Sequence, residues 1–574
     1  MAEQRPDTSP AEARLWEWLE EAVAQSRRAR REAAHFDRFD EWLRLFAGEH
    51  YPHVMPQHKP PVVINELRSL ILAEASDLAD AVPRVYITRD TRRGGRDEDL
   101  ERAFRAIWVR QAVDLKLAEA VVWALVAGTG FLRVGWDPAA ADGLGDVVVD
   151  VVDPRSVYPD PAATSDLDWT WVVTETFMSY PELARVFPSK VHRLPPPGGT
   201  SLTRDTQPVN VGGLPYTGPL SGSPSLLLSP AQAAPRWRVL DAYVVDDTLE
   251  LEVIEPTEPE GGAKLLDDED RPVLHSRWVM KYPNGRRIVG VEGVILYDGP
   301  NTLPTARAVP PDWGLVRVVL EPTLGSFWGL GFPQQTGQLQ LAANKLSSLV
   351  VENAIRLNNG LVVATGNTGI DWESFAGLPG QIVQINPGSQ LQIVYPNPMP
   401  PDMVQAPIQA LDLQRRILGF PPSRVGGPAG ASPELSELEI SQGQGVTRLR
   451  ARALTRVVQR LAELIFARLA YGYAVPREIP AVEGERFVPT VWTPLDNPES
   501  YAVYVDPASF QVLSKTMVRR LAVALYRMNA IDRRALLEHI GWPEWEEVAR
   551  RIDEAERLAA EAKLRARSTR KSRA

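Results

Sequence analysis

The chain has 574 residues, a formal net charge of −10 and no cysteine. That length exceeds what one small core organises, so two or more modules are expected. The missing thiols exclude a disulfide scaffold, thiolate zinc sites and cysteine nucleophiles, and they fit assembly in a reducing cytoplasm. A protein that grips DNA generally neutralises phosphates with a basic surface, so the acidic balance argues against a tight, general DNA binder. It still admits a wall along which DNA slides.

The opening residues, MAEQRPDTSPAEARLW, lack a basic start followed by an apolar core, so no signal peptide is expected. The most apolar run, Val121–Ala127, is far short of the roughly 18 residues a spanning helix needs. Residues 11–48 read as amphipathic helix through Leu15, Trp16, Leu19 and Val23, then Phe36, Phe39, Trp42, Leu43 and Phe46. The run RRARR, Arg27–Arg31, either touches nucleic acid or is a solvated helix face balanced by Glu20, Glu21 and Glu32, and the nearby acids favour the second. A helix is expected over Val62–Val82, a strand over Arg84–Thr88, and one long helix or two over Glu98–Val126. Strands follow at Phe131–Trp136, Asp146–Val152 and Thr170–Thr176, then a short helix at Tyr180–Phe187. Residues 194–235 are Pro/Gly/Ser/Thr-rich and read as a mobile surface excursion. Strand patterns resume at Trp237–Val245, Leu249–Ile254, His275–Lys281, Arg287–Tyr297 and Leu315–Leu320, with the acidic run Leu265–Pro272 in a hairpin turn. The first half is an α+β body.

Phe327–Arg460 is the stretch around which the rest is organised. FWGLGFPQQTGQLQLAANKLSSLVVENAIRL spaces Leu339, Ala342, Ala343, Leu346, Leu349, Val350 and Ile355 as a helix that Pro333 opens and Asn358-Asn359-Gly360 closes. A Gly/Pro-punctuated insert follows, with strands expected at Leu361–Ala364, Gln381–Ile385 and Leu391–Val394. Asp371 and Glu373 are its only charges, and Asp371-Trp372-Glu373 reads as an exposed contact patch. The insert either adds strands between subunits or packs as a hairpin on its own chain. The next helix is two-faced: Asp402, Gln405, Gln409, Asp412 and Arg416 step along one side, with Met403, Ala406, Ala410, Leu413 and Ile417 elsewhere. The loop Gly419–Pro433 holds four Gly and four Pro, among them Pro421, Gly426 and Gly427, with Arg424 between, so no regular structure is expected. A long helix from Glu434 to about Tyr471 then carries Arg448, Arg452, Arg456 and Arg460 on one stripe, facing either DNA phosphates or the carboxylates of a neighbouring subunit. Beyond it, strands are expected at Phe487–Trp492 and Tyr501–Tyr504, and helices at Ser514–Met528, Asp532–Ile540 and Trp545 to about Arg565. A basic tail, RARSTRKSRA, ends the chain.

No P-loop, dinucleotide loop, nucleophile elbow or H-E-x-x-H appears in the sequence. His50, His53 and His58 could hold a metal, but Pro52 and Pro56 make them a loop and weaken that reading. Glu434 and Glu437 are better explained by the helix dipole than by acid–base work. No enzyme and no cofactor are expected.

The order of helix, small β insert, helix, flexible loop and long helix resembles the portal (head-to-tail connector) proteins of tailed double-stranded DNA phages. The segment FWGLGFPQQTGQLQLAANKLSS is similar to the entry into their first stem helix. GTGFLRVGWDP, VVDPRSVYPDPAATSDLDW and ASDLADAVPRVYITRD are similar to their wing segments, and AIDRRALLEHIGWPEWEEVARRIDE to the helical crown many portals carry. The resemblance runs in outline from Asn65 to Gly541. It implies an N-terminal helical region at 1–60, an α+β wing at 61–326, a first stem helix at 327–358, a clip at 359–401 and a second stem helix at 402–418. A tunnel loop at 419–433 would precede a long helix with returning wing strands at 434–512 and a crown with basic tail at 513–574. It further implies a closed homo-oligomeric ring, a dodecamer in the family, at one vertex of the virion capsid and assembled in the host cytoplasm. The clip, with Asp371, Trp372 and Glu373, would dock the large terminase and then head-tail adaptors. The wing would meet the major capsid protein and any scaffolding protein, and double-stranded DNA would pass non-specifically along the second stem helix and tunnel loop, with no membrane involved. Another head-tail adaptor or tail protein, and a nucleic-acid enzyme with an unseen site, remain as other classes.

Overall fold

The computed structural model of the chain describes residues 9–32, 38–51, 61–79, 85–89, 97–194, 209–211, 214–216, 236–254, 275–305, 312–358, 361–367, 369–371, 384–394, 399–420, 433–483, 486–506, 522–523, 525–528, 530–540, 548–552, 554–555 and 557. The fold is mixed, with long helices set against several antiparallel sheets. The amphipathic stretch near the start forms two helices, α1 (Pro10–Glu32) and α2 (Phe39–Ala47), and α2 stops at Gly48 in the left-handed conformation. Next come α3 (Glu66–Ala79) and β1 (Val85–Thr88). The Glu98–Val126 stretch is also two helices, α4 (Glu98–Arg110) and α5 (Val113–Ala127). The break falls at Ala112, whose φ of 49° is costly for a residue with a Cβ and interrupts the helical ladder. Asp97 caps α4 by accepting the Leu100 amide at 3.2 Å.

A three-stranded sheet combines β2 (Gly130–Asp137), β3 (Asp146–Val152) and β13 (Leu315–Val318), in the order β13-β2-β3. A five-stranded sheet runs β12-β11-β8-β5-β4, from β4 (Val157–Pro159), β5 (Trp171–Ser179), β8 (Arg236–Val244), β11 (Arg286–Val291) and β12 (Val294–Pro300). The single strand expected over Arg287–Tyr297 is therefore a hairpin. It turns at Glu292 and Gly293, with φ of 42° and 90°, and pairs Val291 with Val294. Helix α6 (Tyr180–Val186) follows β5 directly, and Ser179 and Glu182 close a capping box at its start. Two small ribbons stand apart from these sheets: β6 (Val209–Val211) with β7 (Leu214–Tyr216), and β9 (Leu249–Ile254) with β10 (His275–Met280). The first lies within the 194–235 excursion, which is otherwise almost wholly outside the described residues, as is the acidic run 265–272. Leu19 and Val23 of α1 pack with Tyr158, Val173, Leu240 and Ile288 of the five-stranded sheet.

The second half contains α7 (Phe332–Asn358), β14 (Leu361–Thr365), β15 (Gln390–Val394), α8 (Pro401–Leu418) and α9 (Pro433–Gly472). Then come β16 (Arg477–Glu483), β17 (Arg486–Trp492), β18 (Ala502–Val505) and α10 (Arg533–Ile540). Strand β16, absent from the sequence reading, pairs antiparallel with β17. Residues 384 and 385 carry no strand, so the expected Gln381–Ile385 strand is not formed there. β1 pairs antiparallel with β18, Val85 opposite Val505, which joins the two halves of the chain in one sheet. One large core holds them: Leu70 and Ile71 of α3, Phe104 and Ile107 of α4, and Val121 of α5 lie with Leu454, Val458, Leu461, Ile465 and Leu469 of α9. Helical residues at 522–523, 525–527, 548–552, 554–555 and 557 fall within the helices expected near the C-terminus.

Candidate functional site

The entry to α7 is built by close backbone approach. A Cβ on Gly329 would lie 2.3 Å from the Gly128 carbonyl oxygen, and one on Gly331 2.5 Å from that of Val126. Glycine is thus required for FWGLGF to lie against the end of α5. Phe327 and Trp328 are buried against Phe131, Phe327 stacked at a centroid distance of 6.2 Å and Trp328 edge to face at 6.1 Å. The Gly329 amide donates to Thr129 Oγ1 at 3.0 Å, and the Leu330 amide to the Glu321 carbonyl at 2.9 Å.

The buried face of α7 holds Phe332 and the expected Ala343, and beside them a polar line that its apolar spacing does not suggest. Thr336, Gln340 and Asn344 recur every four residues and are almost wholly enclosed, with Ser348 next on the same line. Gln340, Asn344 and Ser348 bind the segment that leads into α3, while Thr336 accepts from Gln414 of α8 at 3.4 Å. The Val62 amide donates to Ser348 Oγ at 2.9 Å, that of Ile64 to Asn344 Oδ1 at 3.0 Å, and that of Leu67 to Gln340 Oε1 at 3.1 Å. Asn344 Nδ2 donates to His50 Nδ1, while His50 Nε2 donates to the Leu45 carbonyl at 2.9 Å. Burial holds the His50 pKa below the ordinary imidazole value, the Leu45 carbonyl offsetting part of this. The expected apolar positions Leu349 and Ile355 are exposed instead.

From Lys345 to Leu357 no residue of α7 is buried, and over 401–413 of α8 only Pro407 is. The two helices pack on each other, and the β14–β15 ribbon, Leu361 opposite Val394, joins them as a sheet of its own. At 1.5 Å per residue α7 is about 40 Å long, and the part beyond Ser348, roughly a third of it, stands clear of the body as an arm. Met403, Val404, Ile408, Leu413 and Ile417 are all exposed along α8, Ile408 by 54%. The polar residues Asp402, Gln405, Gln409 and Arg416 are exposed as well, while Asp412 is half-buried and pairs with Arg415 at 3.1 Å. Arg415 also holds Glu66 at 2.9 Å, tying the base of the arm to α3. Helix α8 ends on Gly419 at φ 82°.

Arg448, Arg452 and Arg456 lie exposed along α9, and Arg460 is half-buried, 3.5 Å from Glu463. Two arginines off that stripe are structural. Arg450, 1% exposed, reaches Glu74 at 3.0 Å and the Leu418 carbonyl at 3.2 Å, and its Nε donates to Glu321 at 2.7 Å. It therefore joins α9 to α3, to the end of α8 and to the approach to α7. Arg468 donates to both oxygens of Asp312 at 2.6 and 2.9 Å. Burial pushes the Asp312 carboxyl up, but Arg468 and the Gly314 amide more than reverse this and hold it below its ordinary value. Their signal in the sequence is phase: Arg450 is four residues before Leu454 and Arg468 three after Ile465, both on the apolar side.

The RRARR run is not simply a solvated face. Arg28 and Arg31 are exposed, but Arg30 is 1% exposed, its guanidinium 4.7 Å from the Tyr158 ring centroid and 4.6 Å from that of Trp328. Arg27 donates to Tyr158 Oη at 2.9 Å and pairs with Glu175 at 3.3 Å. Burial of the aromatic and carboxylate partners on β4 and β5 draws these cations inward. Asp371 is exposed; Trp372, Glu373, Pro421, Arg424, Gly426 and Gly427 lie outside the described residues, as do His53 and His58. Among the described residues no group of three His, Asp or Glu could hold a metal ion, and no helix is long and apolar enough to cross a membrane. Comparison with protein-family models and with curated proteins finds no match.

Proposed function

We propose that the chain is a portal subunit: a non-enzymatic ring-former through which phage DNA enters and leaves the capsid. The observation that carries this reading is the arm of α7, the β14–β15 ribbon and α8, whose apolar side chains remain in solvent in the single chain. An isolated helix pair exposing Leu349, Val351, Ile355, Val404, Ile408 and Leu413 is costly in water, so copies of itself are the natural cover. A head-to-tail contact repeated by rotation closes into a ring, and the exposed Asp402, Gln405, Gln409 and Arg416 would then line its inner wall as polar bands. Weak, mixed-sign contacts suit passage of a polyanion better than a continuous basic surface.

In this reading residues 61–326 form the wing against the capsid protein, and any scaffolding protein, while the ribbon is the clip on which the large terminase and later the head-tail adaptors dock. The connection Gly419–Pro433 is the tunnel loop, the helices after residue 513 form the crown, and the assembly belongs to the virion vertex. Native mass spectrometry with negative-stain imaging of the purified chain tests this. A closed ring of about twelve copies with a central hole is the expected result. A chain that stays monomeric across protein and salt concentrations, alone and with capsid and scaffolding protein, overturns it.

A further inference from the structure

Away from the arm, a cleft of about 460 Å³ opens between the 165–167 loop, β13 and the middle of α9. Arg317, Arg456 and Arg460 line it, with Leu167, Val316 and Val457 forming apolar wall. Two carboxylates, Asp166 and Glu463, are also on the lining, so the cations are in excess by one.

Arg317 is held in place before any ligand arrives. Its Nη1 donates to the Thr164 carbonyl at 2.7 Å, and its guanidinium lies 4.6 Å from the centroid of the Phe327 ring. The loop presenting that carbonyl is itself locked, because Asp168 accepts the Thr164 and Ser165 amides at 3.1 and 2.8 Å and the Thr164 hydroxyl at 2.6 Å. No carboxylate lies within ion-pair distance of Arg317 or Arg456 among the described residues. Burial lowers the pKa of Arg317, and the charge of Arg456 lowers it further, against partial compensation from Asp166 and Asp168. Two guanidiniums that repel each other in a partly desolvated cleft gain most from a shared anion.

We propose that this cleft binds a small phosphorylated ligand, with the phosphoryl group between Arg317 and Arg456 and the organic body against Leu167, Val316 and Val457. A phosphoryl group offers three oxygens and up to two negative charges, so it can bridge two guanidiniums that a single carboxylate would neutralise only in part. The volume matches a ligand of nucleotide size. The site does not depend on ring formation and stands apart from the portal reading.

The test is calorimetric titration of the full chain with inorganic pyrophosphate and with adenosine monophosphate, at ionic strength held constant with sodium chloride. Saturable binding at one site per chain is expected, weakened about tenfold or more in R456Q, which removes an exposed side chain, and partly retained in R456K. R317Q, with its Tm recorded, is expected to lose binding too; if it does not fold, R456Q carries the test. The proposal is overturned if neither probe binds saturably at millimolar concentration, or if R456Q binds as the parent does. It is equally overturned if only duplex DNA binds, which would assign the arginine stripe to the DNA backbone.

Discussion

Arg450 places a guanidinium between Glu74 and Glu321 with almost no solvent contact, and a charge so enclosed is stable only while its partners stay in place. Replacing it by Met removes the cation but leaves two carboxylates facing one another. Arg450→Met is expected to cost about 3–5 kcal/mol, read as a large fall in Tm, and a loss under about 1 kcal/mol would show that water reaches the site. The same substitution at the exposed Arg448 or Arg452 should change stability by no more than about 0.5 kcal/mol. His50 makes a second prediction. Its Nε2–H is committed to the Leu45 carbonyl, and Asn344 Oδ1 already accepts from the Ile64 amide at 3.0 Å and Gln340 Nε2 at 3.3 Å. A proton on Nδ1 would thus meet the Asn344 amide donor. Because the folded pKa lies below the ordinary imidazole value, the unfolded chain binds the extra proton first. The His50 contribution is therefore whole above about pH 6.5 and is lost as pH falls through the folded value. A Tm profile from pH 7 to 5 should fall less steeply in His50→Gln, once Asp312 and the other carboxylates are counted as common to both proteins. Parallel profiles would show that His50 is not the titrating group.

At the scale of elements, the arm divides into a base and a shaft. The base is held by specific polar contacts from Thr336, Gln340, Asn344 and Ser348, and by the Arg415–Glu66 pair at 2.9 Å. The shaft is apolar and exposed, so a charge on it should leave the fold of one chain intact and act on association alone. Ile408→Asp is expected to shift the assembled species to monomer in sedimentation, with the monomer Tm unchanged to within a few degrees. A variant that still assembles fully would remove α8 from the subunit contact. In the α7 sequence the helix itself is legible, because apolar spacing and the Pro333 and Gly360 punctuation all agree. Its buried polar line is not, because hydrogen bonding to an extended segment nearly 280 positions earlier leaves no periodic trace.

Taken whole, the molecule is closed by β1 and β18, which lie about four hundred residues apart and pair from Val85–Val505 to Thr88–Ala502. Gln459 of α9 braces that ribbon, donating to the Val503 carbonyl at 2.8 Å and accepting from the Val505 amide at 2.7 Å. A chain ended at Asp496 would lose the only described partner strand of β1 and expose Ile87 at the edge of the core. Limited proteolysis of that truncated chain should cleave within 80–97 faster than in the full chain, and equal rates would mean that the two halves are independent.

The sequence by itself determined the α+β class, most helix and strand spans, and the order of helix, ribbon, helix, connection and long helix. These are local properties, set by periodicity, capping and backbone freedom within a few residues. Tertiary structure alone decided what the structural charges meet. Arg450 and Arg468 share the phase of the apolar side of α9, which marks them as inward, but only packing against Glu74 and Asp312, and for Arg30 against Tyr158, gives them their partners. The two-stranded nature of 286–300 and the hidden strand β16 were decided the same way, since short strands gain their stability from partners rather than from their own residues.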